Sequence, residues 1–231
     1  VFNQKMKKPF LEVIQGIDTL SVIGDTSEVA TVIFHGYGAN MRDLHPLWEH
    51  WHTEGMNWYF PNGVLPLSMG AGYEGRSWFS IDIEGLERAM REGRHRDLKD
   101  YIPAEFDSTL AHIETYLSDL QKRHPRLIVG GFSQGAMLAT HVALRDKVSI
   151  EALVILSGNL VAESKMPASA KGIPFYQSHG TSDPVLSYEG ARELEKKLQQ
   201  LGLQGKLETF SGGHEIPMNV IGGVKSFLKG I

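Results

Sequence analysis

Four short runs in this chain are apolar at almost every position: residues 31–35 (TVIFH), 126–130 (RLIVG), 152–156 (ALVIL) and 173–178 (IPFYQS). A strand with one face in water alternates polar and apolar positions, whereas a continuous run suits a strand covered on both faces, as in the middle of a parallel sheet. Between these runs the period lengthens. Residues 103–124 carry Phe106, Leu110, Ile113, Leu117 and Leu120 at spacings of four and three, a single apolar helix stripe. Residues 41–52, 134–144 and 188–201 read as further helices. An opening hairpin joins 11–14 to 20–23 through a turn at 15–19, residues 206–210 form a late strand, and 221–228 a closing helix. Strand and helix in alternation predict an α/β fold: a doubly wound, mostly parallel sheet with helices on both faces.

The least regular stretch is 61–80 (PNGVLPLSMGAGYEGRSWFS), rich in Gly, Pro and Ser yet studded with apolar side chains. A loop of that length with so much apolar surface points to function. Composition agrees with a folded chain. Of 231 residues, 42% are hydrophobic and 22% charged, enough apolar material for a large core and no sign of disorder or fibrous repeat. One domain over 1–231 is expected, with residues 1–8 a tag or a disordered end. A net charge of −4, without a basic patch, excludes nucleic acid and anionic lipid as partners. No run approaches a membrane span and no secretory leader is visible, so a cytoplasmic protein without a stable membrane anchor is expected. With no Cys, thiolate nucleophiles, disulfides and Cys-ligated metals are excluded together.

Candidate chemistry begins where the run 126–130 ends. Gly131-Phe132-Ser133-Gln134-Gly135 is a G-x-S-x-G between a predicted strand and a predicted helix. Such a sharp turn strains the central residue, needs small neighbours on both sides, and projects the hydroxyl above the sheet. Ser133 is therefore the candidate nucleophile. A serine hydroxyl needs a base, and the base needs an orienting acid. With this kind of elbow the acid and then the base follow the serine, each on a loop after a later strand. Among the later histidines, His141 falls inside a helix and His179 ends a strand, where it is read as bracing the next loop. His214, after the strand 206–210 and two glycines, remains as the base. Asp183, following the strand 173–178, is preferred as the acid over Glu163, which lacks the tight turn.

Developing negative charge needs backbone N–H donors. One is expected from Gln134, next to the serine, and one from Tyr37 in the loop Gly36-Tyr37-Gly38 that follows the strand 31–35. Read as a dinucleotide fingerprint, that loop lacks its third glycine, because Met41 stands there. His45, His50 and His52 do not share a helix face, so no metal is expected.

The segments HGYGAN (35–40), Trp78-Phe79, GFSQGA (131–136), HGTSDPV (179–185) and GGHEIP (212–217) stand in one order. In that order the chain resembles the phospholipase/carboxylesterase family of the α/β-hydrolases, which includes bacterial carboxylesterases and acyl-protein thioesterases. HGYGAN is nearer the bacterial carboxylesterase branch than the HGLGD form of the eukaryotic depalmitoylating enzymes, and Ser80 stands where an Asp usually follows the aromatic pair. The resemblance implies Ser133, Asp183 and His214 as a catalytic triad, with Tyr37 and Gln134 as oxyanion donors. It also implies an α/β-hydrolase fold without a large cap domain, no cofactor, and a small acyl ester or thioester as substrate.

The expected activity is a serine carboxylesterase or thioesterase acting on short- to medium-chain acyl groups through an acyl-enzyme. Lysophospholipase or acyl-protein thioesterase activity, or a catalytically idle binding module, are the alternatives, and a homodimer is left open. Leu67, Met69, Trp78, Leu160 and Met166, from the two loops expected to flank Ser133, are the candidate substrate-binding residues.

Overall fold

The computed structural model describes residues 8–24, 28–68 and 74–231. In chain order the strands are β1 (Phe10–Ile14), β2 (Ile17–Val22), β3 (Val29–Phe34), β4 (Met56–Pro61), β5 (Leu65–Ser68), β6 (Glu74–Ser77), β7 (Arg126–Phe132), β8 (Ile150–Leu156), β9 (Pro174–Gly180) and β10 (Gln204–Phe210). The helices are α1 (Trp48–Trp51), α2 (Ile83–Arg91), α3 (Phe106–Gln121), α4 (Gln134–Leu144), α5 (Tyr188–Gln200) and α6 (Met218–Leu228). Eight strands form one sheet in the order β1-β2-β4-β3-β7-β8-β9-β10, and β5 pairs with β6 in a separate hairpin. From β4 to β10 the neighbours run parallel, while β1 and β2 are antiparallel at one edge.

The alternation of side chains across a strand explains the two cores. Val29 and Ile33 of β3 and Ile128 of β7 face one side, with α1 and α6 over them through Trp48, Trp51, Val220 and Val224. Ala30, Val32 and Phe34 of β3 and Val129 of β7 face the other, covered by α3, α4 and α5 through Leu110, Leu117, Leu138 and Leu194. All eleven residues of α4 are buried, which suits a helix that is apolar nearly all round.

Several elements differ from the pattern reading: β5, β6 and α2 lie where no strand or helix is expected, and three further differences have a local cause. The expected helix at 41–52 is a 3-10 turn at His45–Leu47 followed by the single turn of α1. Pro46 supplies no N–H and disfavours helix in the residue before it, which cuts the segment short. β4 (MNWYFP) went unread as a strand, although all six residues are buried, because Asn57 interrupts its apolar run. The opening hairpin turns on two residues, Gln15 and Gly16, both at positive φ (50° and 78°), a type I′ geometry tighter than the expected five-residue turn. No helix among the described residues is long and apolar enough to cross a membrane.

Two buried imidazoles tie stability to pH. His141 in α4 donates from Nε2 to Val161 O (2.8 Å), and His35, just after β3, donates from Nδ1 to Gly36 O (2.7 Å). Burial lowers the pKa of each to about 4, against the opposing pull of these hydrogen bonds. The unfolded chain binds these protons from about pH 6.5 downward and the folded chain does not, so stability is full above that pH and declines as pH falls towards 4. Each imidazole contributes a slope of up to about 1.4 kcal/mol per pH unit in that window. Urea midpoints measured from pH 7.5 to 4.5 are expected to fall below pH 6.5, and a midpoint constant over the range would show that these rings titrate normally in the fold.

Candidate active site

The last residues of β7 and the first of α4 meet at Ser133, whose φ of 54° and ψ of −117° lie outside the ordinary regions for a residue with a side chain. The surrounding glycines are dictated by contact. A Cβ on Gly131 would lie 2.4 Å from the backbone of Gly135, and one on Gly135 would lie 2.1 Å from Phe34 O at the end of β3. The first turn of α4 is thus pressed against the strand that feeds the Tyr37 loop. Ser133 N–H donates to Leu156 O (2.9 Å), and Ser133 O accepts from Ala136 and Met137 (3.0 and 3.1 Å), so the elbow is fixed from both sides.

The loop after β3 is held as firmly. His35 Nδ1 donates to Gly36 O, and Nε2 accepts from Gly63 N–H at 2.9 Å, which sets a neutral ring in one tautomer. Gly38 N–H donates to Arg76 O, and Arg76 N–H to Ala39 O (2.9 and 2.8 Å), docking the loop on β6. Tyr37 N–H and Gln134 N–H take no acceptor among the described residues, and both residues line the same cleft as Ser133.

Asp183 and His214 meet at 2.6 Å between Oδ2 and Nδ1. Asp183 is 3% exposed, and its other oxygen accepts from Val185 and Leu186 N–H at 2.8 and 3.0 Å. Burial works against its charge, but the His214 hydrogen bond, the His214 charge and the two backbone donors outweigh it and hold the carboxyl below the usual aspartate range. The two loops share backbone contacts: Thr181 N–H donates to Phe210 O, Ser182 N–H to Gly212 O (2.9 and 3.0 Å), and a Cβ on Gly180 would fall 2.2 Å from Gly213 O. His179 Nε2 donates to Leu186 O (3.0 Å), bracing the same loop. From a segment that sequence reasoning passed over, His95 Nε2 donates to Asp183 O (2.8 Å).

Ser133, His214, Tyr37 and Gln134 open into one cleft of about 240 Å³. The His214 ring rests on Phe132, with centroids 4.7 Å apart. No hydrogen bond joins Ser133 Oγ to that ring among the described residues; in the absence of substrate, bonds of this kind are commonly long.

The expected substrate-binding residues fall elsewhere. Trp78 is fully buried, donating from Nε1 to His35 O (2.8 Å), so it lies beneath the site and not on the cleft wall. Leu160 is buried in the core, Met166 packs against that core, and Leu67 sits half-buried on β5, none of them lining the cleft. Met69 lies outside the described residues. The apolar wall is made instead by Ile81, Ile83, Leu86, Leu98, Met137 and Leu186. Ile83, Leu86 and Met90 stand at helical spacing after Asp82, whose side chain caps α2 by accepting from Gly85 N–H (2.9 Å). That signal was available but is submerged in the charges of residues 84–100.

Gln134 has a second role that its backbone assignment concealed. Its side chain accepts from Trp78 N–H (2.9 Å) and donates to Phe79 O (2.7 Å), spanning the aromatic pair. Thr109 Oγ1 on α3 donates to Trp78 O (2.9 Å). Gln134→Ala keeps the backbone donor but leaves two buried main-chain groups unpaired, at about 1–3 kcal/mol each. A drop in unfolding free energy of at least about 2 kcal/mol is expected by urea denaturation, and a loss under about 0.5 kcal/mol would show that water replaces the side chain.

Known ester hydrolases are similar to this chain in sequence and fold. The acyl-protein thioesterase 1 of Neurospora crassa is 24% identical over 220 residues, covering 86% of this chain and 85% of that protein. The acyl-protein thioesterase 1 of Debaryomyces hansenii is 30% identical over 174 residues, covering 70% and 69%. The crystal structure of esterase PE8 superposes with a TM-score of 0.75 at 25% identity, over 98% of this chain and 100% of that one. The sequence model of the phospholipase/carboxylesterase family matches residues 20–231. The chain belongs to that family and is an ester hydrolase of the α/β-hydrolase fold.

Proposed function

We propose that this member of the phospholipase/carboxylesterase family hydrolyses short- to medium-chain acyl esters and thioesters through a Ser133–His214–Asp183 triad and an acyl-enzyme intermediate. The observation that carries the reading is the strained Ser133 in a cleft shared with a histidine whose Nδ1 is engaged by a buried carboxylate at 2.6 Å. With Nδ1–H committed to Asp183, the lone pair of His214 falls on Nε2, the atom a general base needs.

Ser133 Oγ attacks the acyl carbonyl while Nε2 takes its proton. The oxyanion that forms is met by Tyr37 N–H and Gln134 N–H, which are preorganised and need no rearrangement. The imidazolium, stabilised by Asp183, returns the proton to the departing alcohol or thiol, leaving Ser133 acylated. Water then repeats the sequence: Nε2 takes a water proton, the hydroxide adds to the acyl carbon, and the free acid leaves as Ser133 regains its hydrogen. Thioester cleavage uses the same steps, and the name of the fungal relatives supports it. The size of the cleft and its wall of Ile81, Ile83, Leu86 and Leu98 support an acyl group of short to medium length, with each buried methylene adding about 0.8 kcal/mol until the wall ends.

Ser133→Ala is expected to lower kcat on p-nitrophenyl butyrate by at least about 1,000-fold with an unchanged circular dichroism spectrum; retention of a tenth of the rate would remove Ser133 as nucleophile. A fluorophosphonate should add to Ser133 in the wild type, as judged by peptide mass, and an unlabelled chain would mean an idle site. The oxyanion assignment has its own check. Tyr37→Leu should keep most activity, whereas Tyr37→Pro, which deletes the donor, should cost about 100-fold or more. Equal rates for the two variants would exclude Tyr37 N–H.

A further inference from the structure

The residues that line the cleft differ in kind. Ile81, Ile83, Leu86 and Leu98 are apolar, while the loop after β3 contributes Tyr37, Ala39 and Asp43. Among the described residues, Asp43 is the one acidic or basic side chain on the lining apart from the His214 ring. Its position is built in. Asp43 N–H donates to Asn40 O (3.0 Å), Arg42 N–H to Asn40 Oδ1 (3.0 Å), and Met41 N–H to Asn62 Oδ1 (3.1 Å). Three successive main-chain donors are thus committed, and the loop that bears Tyr37 carries Asp43 onto the cleft lining.

No cation pairs with this carboxylate among the described residues. Arg42 adds to the effect of burial in holding His45 below its ordinary pKa, and Arg76 adds to burial at His35. Partial shielding of its carboxyl raises the Asp43 pKa. Asp43 is itself exposed, and its unpartnered carboxylate on the cleft lining attracts an arriving cation and repels an arriving anion.

We infer that Asp43 selects substrates by the charge of the leaving group, favouring acyl donors whose alcohol or thiol is cationic over neutral ones, and disfavouring anionic ones. The inference rests on the hydrolase reading of this cleft. With the acyl chain on the apolar residues, the alcohol or thiol departs beside His214, whose ring shares the cleft lining with Asp43.

The experiment uses two esters that share an acyl group and the shape of the leaving group: butyrylcholine, and 3,3-dimethylbutyl butyrate, in which carbon replaces the cationic nitrogen. At about 10 mM ionic strength, kcat/KM is expected to favour the choline ester by about threefold to tenfold, shrinking towards one in about 0.5 M NaCl. Asp43→Asn should bring the low-salt ratio close to one, and Asp43→Lys should invert it. A wild-type ratio at or below one at low salt, or an Asp43→Asn ratio equal to the wild-type value, overturns the inference. Should the variants fail to fold, the salt dependence of the wild-type ratio decides alone. Absence of turnover of the neutral ester by the wild type would instead sink the hydrolase reading, and the charge selection with it.

Discussion

The arrangement depends on the close approach of the first turn of α4 to the end of β3. Gly135 has no room for a side chain against Phe34 O, and Gly131 has none against Gly135, so the chain must reverse from strand to helix in the space of one residue. That residue is Ser133, held at positive φ at a cost of about 1–3 kcal/mol. Hydrogen bonds from its N–H to β8 and to its carbonyl from α4 leave the backbone no cheaper conformation. The consequence is geometric: a hydroxyl raised above the sheet is necessarily beside the loop leaving β3, where Tyr37 stands.

Polar contacts carry this order outward. Gln134 reaches from the elbow to both sides of the Trp78-Phe79 pair, Trp78 returns a hydrogen bond to His35 O, and Thr109 secures the same segment to α3. The segment that follows supplies the apolar wall of the cleft and then, through His95, touches the loop of Asp183. Nucleophile, wall and acid are therefore connected through residues that take no part in bond making. The two aspartates of the region illustrate opposite uses of burial. Asp183 is enclosed and fully supplied with donors, so its charge is stable and serves to orient a ring. Asp43 is exposed and unpartnered among the described residues, so its charge remains free to act on what enters the cleft it lines.

Much was legible in the order of residues along the chain, for a physical reason. An elbow is a local constraint: the residues two before and two after the serine must be small, a strand must precede and a helix follow, and all of this lies within a dozen positions. The apolar runs of β3, β7, β8 and β9 and the stripe of α3 are likewise local, since burial on both faces or on one stripe is written as a period. Ser133 and Asp183 could be nominated because each follows a strand read in that way, and His214 because it follows the late strand 206–210; the structure brings the acid and the base within 2.6 Å.

What only the tertiary structure decided is which side chains face the cleft. Trp78 is a large aromatic in an irregular loop and reads as a binding surface, yet its N–H finds a carbonyl of a strand end more than 40 positions away and the ring is drawn under the site. Ile83 and Leu86 lie on a short, charge-rich helix whose apolar side has no partner in the sequence, and acquire one when residues 81–98 fold across Ser133. Asp43 is one acid among 27 until the loop after β3 carries it to the cleft. Strands, helices and the elbow leave local patterns in the chain even where distant contacts complete them. The wall of a cleft is an agreement between distant segments, and no local period records it.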